Sequence, residues 1–215
     1  MKREGELSSL TDGKLYRSND LVRVGCRDCE GCSACCQGMG NSVVLDPYDV
    51  WRLERGLGIS FSEMIGKQLM LSVVDGLILP SLNMEDETGC CPFLTQEGRC
   101  GIHAFRPGIC RLFPLGRYYH DGGFSYVLMT GECKKENRSK IKIKKWLGEP
   151  DLKSYESFVM QWKEILEQTR GQMQGIGLEE QKQLSMSLLQ NYYFTSYAED
   201  FFDDFSCKSN KLKKK

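Results

Sequence analysis

Five cysteines fall within eleven residues, at Cys26, Cys29, Cys32, Cys35 and Cys36. Thiols packed that tightly can reach one small centre, and the chemistry that rewards this is soft-metal coordination. Cys35 and Cys36 are adjacent, so their side chains leave the backbone in different directions and are expected to serve two destinations. Partners for them lie downstream at Cys90, Cys91, Cys100, Cys110 and Cys133, within CCPFLTQEGRCGIHAFRPGICRLFP and the later GEC.

Read through Cys26, Cys29, Cys32 and Cys36, the spacing is C-x2-C-x2-C-x3-C, the run that holds iron–sulfur clusters in bacterial ferredoxins, with Gln37 where the proline would follow. Gly25, Gly31, Gly38 and Gly40 punctuate the run and suit a loop wrapped around sulfur. Several divisions of these thiols are compatible with all-sulfur ligation: two tetrahedral zinc sites, one four-iron cluster plus a zinc, or one cluster with spare structural thiols. The ferredoxin-like spacing, and the lack of a well-placed second ligand histidine, favour a 4Fe-4S cluster over zinc. Cys26 can substitute within the run, whereas Cys90 and Cys207 read as packing or surface thiols.

Other groups are fewer. His103 lies three residues past Cys100, close enough to hydrogen-bond a cluster sulfur or to ligate, although a satisfied structural histidine is the simpler reading. His120, in YYHDGG, is expected to be exposed. Arg106, Arg111 and Arg117 bracket Cys110 and are read as compensating thiolate charge, with ordinary salt bridges as the plain alternative. The sequence carries no G-x-S-x-G, phosphate loop or dinucleotide fingerprint, so it shows no catalytic base or cofactor fold beside the thiols. It leaves open whether the chain is an enzyme.

Positioning these groups falls to a modest set of elements. The run DPYDVWRLERGLG opens with an acidic residue and proline and closes on glycine, which predicts a helix from Asp46; a second is expected at FSEMIGKQLM. LILPSLNM and GGFSYVLMT read as short strands, and ENRSKIKIKKWLGEP as a basic amphipathic helix stopped by Gly148 and Pro150. Beyond Pro150, Tyr155, Phe158, Trp162, Ile165 and Thr169 recur at steps of three and four, and a second helical pattern runs from Leu178. The expected architecture is α+β: an irregular cysteine-rich metal-binding centre with few short strands, covered by a C-terminal helical pair. The expected organisation is an arm over 1–25, a cysteine-cluster domain over 26–149, a helical region over 150–206 and a basic tail over 207–215.

Lys+Arg and Asp+Glu both number 29 and the pI is about 6.7, so no basic field over the whole surface points to nucleic acid. No long apolar window suggests a membrane span, and MKREGELSSLTDG lacks the apolar run of a signal peptide. A cytoplasmic protein is expected, in which thiols stay reduced unless a metal takes them. The odd total of 11 cysteines also fits poorly with a closed disulfide framework.

The string CxxCxxCC at Cys29, Cys32, Cys35 and Cys36, followed by CPFL, GRCGIH, RPGICRLFP and Cys133, resembles the CxxCxxCC cysteine-cluster family of zinc- or iron-chelating domains. The resemblance covers roughly residues 26 to 133 and places motif cysteines at Cys29, Cys32, Cys35, Cys36, Cys91, Cys100, Cys110 and Cys133, with Cys26, Cys90 and Cys207 as extras. His103 stands where the family often has tyrosine. The family is similar in this domain to the bacterial flagellin lysine methylase, which implies an iron–sulfur cluster and a methyl transfer as possible roles. The resemblance therefore implies a metal-binding protein carrying an iron–sulfur cluster or chelated iron or zinc. A methyltransferase-like group-transfer enzyme and a structural zinc protein are its alternatives.

Overall fold

The computed structural model describes residues 7–26, 32–84 and 88–212. Its strands form three two-stranded antiparallel sheets among the described residues. β1 (Leu21–Gly25) pairs with β6 (Ser139–Lys142), β2 (Leu69–Val74) with β3 (Leu77–Leu82), and β4 (Leu115–His120) with β5 (Gly123–Leu128). β2 and β3 are joined through Asp75 and Gly76, both at positive φ, the backbone twist that a tight hairpin turn requires. A short helix, α1 (Leu7–Leu10), leads into a segment that bridges to β5 at Tyr16↔Tyr126.

α2 (Pro47–Leu57) begins where the sequence predicts. Asp46 accepts from the Asp49 amide, Asp49 returns the bond to the Asp46 amide, and Gly58 ends the helix in the left-handed region. The second expected helix is shorter than its pattern. α3 (Phe61–Met64) is capped by Ser60 and Glu63, but the chain turns at Gly66 and continues as β2.

The basic segment after residue 136 departs from the helical expectation. It is β6 followed by the five-residue α5 (Ile143–Leu147). Lysine and isoleucine alternate there with a period of two, and β1 offers a partner strand, with Ile141 opposite Val22. α4 (Gly108–Leu112) is likewise a single short turn of helix.

The C-terminal region is helical: α6 (Leu152–Gln172), α7 (Leu178–Tyr192) and α8 (Phe201–Leu212). Tyr155, Phe158, Trp162 and Ile165 form the buried stripe of α6, and Thr169 is spent on a bond to the Ile165 carbonyl. The pattern from Leu178 divides into two helices between Tyr192 and Phe201.

Two cores result. The larger unites α2, β2, β3 and the three C-terminal helices around rings such as Tyr48, Tyr155, Phe158, Phe201 and Phe205. The smaller gathers Val22, Val24, Leu115, Tyr126, Leu128, Ile143 and Trp146 under the β1–β6 and β4–β5 ribbons. The cysteines lie along both. Cys36, Cys91, Cys100 and Cys110 pack on the larger core, and Cys26 packs on the smaller.

Candidate metal centre

The two cysteine-bearing stretches are joined by backbone. The Cys91 amide donates to the Cys36 carbonyl and the Gly38 amide to the Gly89 carbonyl, each at 2.8 Å, with Gln37 bridged to Cys90 between them. Gly38 and Gly89 both hold positive φ beside this short ladder, which is why glycine suits the two positions. Cys35 and Cys36 sit on a 3₁₀ turn, Ala34–Cys36. Cys100 closes a small hairpin in which Gly101 donates to Phe93 and Thr95 to Arg99. Cys110 rides on α4.

The described thiols fall into two overlapping neighbourhoods. Burial pushes the Cys91, Cys100 and Cys110 thiols up, and the charge of Cys35 adds to the rise in each. Cys35 is itself raised, first by a hydrogen bond with Cys36 and then by burial. The other neighbourhood is that of Cys26, Cys32 and Cys133, which share with Cys35 a cavity of about 20 Å³ walled by Phe113, Pro114 and Trp146. Cys29 lies outside the described residues. Cys90 turns its thiol to the Thr88 carbonyl, and Cys207 is exposed on α8.

The three arginines part ways. Arg106 is the one near thiols, lowering Cys35 and Cys100, and its Nη1 lies 2.9 Å from His103 Nε2. Arg111 binds Glu149 at 2.5 Å, and Arg117 donates to the Tyr155 hydroxyl at 2.9 Å. The exposed ring of His120 bonds to the Asp121 carbonyl and to Ser125.

Sequence reasoning missed the support beneath Cys110. Asp49 is 2 % exposed; its Oδ1 accepts the Gly108 amide at 2.6 Å, two residues before Cys110. Glu149, also buried, accepts from Arg111 and the Tyr48 hydroxyl and lies 3.6 Å from Arg52. An acidic residue in the first turn of a helix is ordinary, so the bond from Asp49 to Gly108 carried no signal of its own in the sequence.

Among the described residues, no three cysteine, histidine or carboxylate groups converge tightly enough, as they stand, to hold one ion. The donor set nevertheless suits a soft cation. Buried thiols that raise one another's pKa resist ionising alone, and a bound metal reverses that balance because it ligates thiolate.

These features describe a cysteine-rich protein in which two distant thiol-bearing stretches are joined by backbone hydrogen bonds. A family-model comparison gives that class its name: residues 28–142, more than half of the chain, match CxxCxxCC, "Putative zinc- or iron-chelating domain", and the chain belongs to this family. No curated protein and no solved structure matches the chain. The family supports a metal-binding role. No helix among the described residues is long and apolar enough to cross a membrane.

Proposed function

We propose that this chain is an iron–sulfur protein whose interior thiols, Cys35, Cys91, Cys100 and Cys110, hold a 4Fe-4S cluster. The observation that carries the reading is the backbone join between the two cysteine-bearing stretches, with the Cys91 amide on the Cys36 carbonyl at 2.8 Å, and the influence of Cys35 on the Cys91, Cys100 and Cys110 thiols is consistent with it. Cys36 supports the turn through its carbonyl and its thiol contact with Cys35. Cys26, Cys32 and Cys133, with Cys29 from the motif, form the outer donor set for iron or zinc. A cluster so placed supplies one-electron chemistry or a structural tie, and the chain's own residues orient the thiols and shield them from water.

Protein purified without oxygen is expected to be brown, with broad absorption near roughly 400 nm and acid-labile sulfide. Cys91→Ser and Cys110→Ser are expected to lose iron, and Cys207→Ser to keep it. A colourless protein with stoichiometric zinc replaces the cluster by zinc, and full iron in the first two variants removes the ligand assignment.

A further inference from the structure

The chain is neutral overall, yet five cations, Arg23, Lys140, Lys142, Lys144 and Lys145, stand on and beside the β1–β6 ribbon. Across the β1–β6 ribbon Leu21 stands opposite Lys142 and Arg23 opposite Lys140, all four exposed, while Val22 and Val24 turn inward. Lys144 and Lys145 extend the same face onto α5. Among the described residues none of these five makes an ion pair. Arg23 and Lys140 are like charges directly opposite each other, which opposes the pairing of the two strands.

The face is concave. Leu21, Lys140, Ile141, Lys142, Lys144 and Lys145 line a groove of about 420 Å³ with no carboxylate in its walls, and Leu21 is 55 % exposed. The groove adjoins the thiols. β1 ends at Gly25, one residue before Cys26, and α5 presents Trp146 to the thiol cavity, which Lys134 and Lys135 also line.

We propose that this groove docks an acidic protein surface beside the thiol cavity, with partner carboxylates over the lysines and an apolar side chain on Leu21 and Ile141. An apolar centre with a charged rim is how protein interfaces are built. The residues lining the groove include no aromatic stacking platform, which disfavours single-stranded nucleic acid. The inference goes beyond metal binding and does not depend on which metal is held.

Lysines on edge strands also guard against sheet-to-sheet pairing, so the test must separate docking from protection. The probe is a fluorescein-labelled, glutamate-rich peptide carrying leucines, titrated onto the full metal-loaded chain at about 50 and about 200 mM salt. Binding is expected to weaken with salt and to fall about tenfold in Lys140→Glu/Lys144→Glu. Leu21→Ser is expected to weaken it by about threefold. The control Lys153→Glu/Lys182→Glu makes the same charge change on exposed positions of α6 and α7 and should bind as the parent does. Unchanged metal content in each variant reports an intact fold. Equal weakening in the control, no effect of Leu21→Ser, or tighter binding of an oligonucleotide or of phosphatidylserine vesicles through the same lysines overturns the proposal.

Discussion

Gly108→Ala is the sharpest test of how the fold holds Cys110, because two physical effects predict opposite signs. Helix propensity alone favours alanine over glycine by up to about 1 kcal/mol, and Gly108 opens α4 with a φ that alanine tolerates. Contact geometry argues the reverse. A Cβ at this position would run into the Tyr155 hydroxyl and meet Asp49 Oδ1 at 3.4 Å. Tyr155 cannot retreat: it is 2 % exposed, its ring is packed against Tyr48, Phe158 and Phe202, and its hydroxyl accepts from Arg117. Overpacking costs about 1–3 kcal/mol, and a shift of α4 also loosens the charge-assisted bond from Gly108 to Asp49. A net loss of about 2–4 kcal/mol follows, a fall in Tm of roughly 4–16 °C for a domain of this size. Circular dichroism melts give the stability and metal analysis gives the occupancy, which should fall because the displaced turn carries Cys110. Tyr155→Phe removes the colliding oxygen, so the double variant should recover about 1–2 kcal/mol relative to the sum of the singles. A Gly108→Ala protein that melts at or above the parent with full metal would refute the reasoning.

Three further outcomes are expected. In Gly56→Ala, the new Cβ would sit 2.5 Å from the Phe105 ring, so α2 and the turn at His103–Phe105 are forced apart; a loss of about 1–3 kcal/mol in a denaturant melt is expected although alanine is the better helix former. Burial, then the Asp49 carboxylate, raises the Asp46 pKa from 3.8 to about 8. The folded state therefore binds more protons than the unfolded state between those values, and stability falls as pH rises through the window. Asp46→Asn should flatten that slope relative to the parent in melts across pH. Arg111→Leu strips Glu149 of its closest cation and should cost about 3–5 kcal/mol, whereas Arg111→Leu/Glu149→Leu should recover most of it; equal stability of the single variant would show the pair to be idle.

Local chemistry was readable in the sequence wherever a single stretch sufficed. Asp46 and Gly58 announce both ends of α2, and the steps from Tyr155 to Ile165 announce the buried face of α6. Membership of the cysteine-cluster family was readable, since strings as specific as RPGIC and CPFL mark one family even when their neighbours in space are unknown. Tertiary pairing hid the rest. Lys140 to Ile143 has a period of two, but only the presence of β1 as a partner makes it a strand instead of the start of α5. The same holds for Asp49 and Glu149, which bond to α4 from 59 and 38 residues away, and for Tyr155, which accepts from Arg117 on β4.

The charges around Cys110 bear on why the thiols are there at all. Buried cysteine can serve as a small hydrophobe, and such a thiol is best left among neutral neighbours. Cys110 instead lies near Asp49, whose carboxylate pushes it further up, and near Cys35, Cys91 and Cys100, which do the same. The fold does not answer this with arginine. Arg111 is committed to Glu149 and Arg117 to Tyr155, leaving Arg106 to face Cys35 and Cys100. Such an arrangement opposes thiolate formation as long as protein charges act alone. A coordinated cation changes the sign of the balance, because it binds the ionised sulfurs directly and turns the nearby carboxylate from a penalty into a counter-charge. Metal chelation by this family thus accounts for an electrostatic setting that packing alone would have no reason to keep.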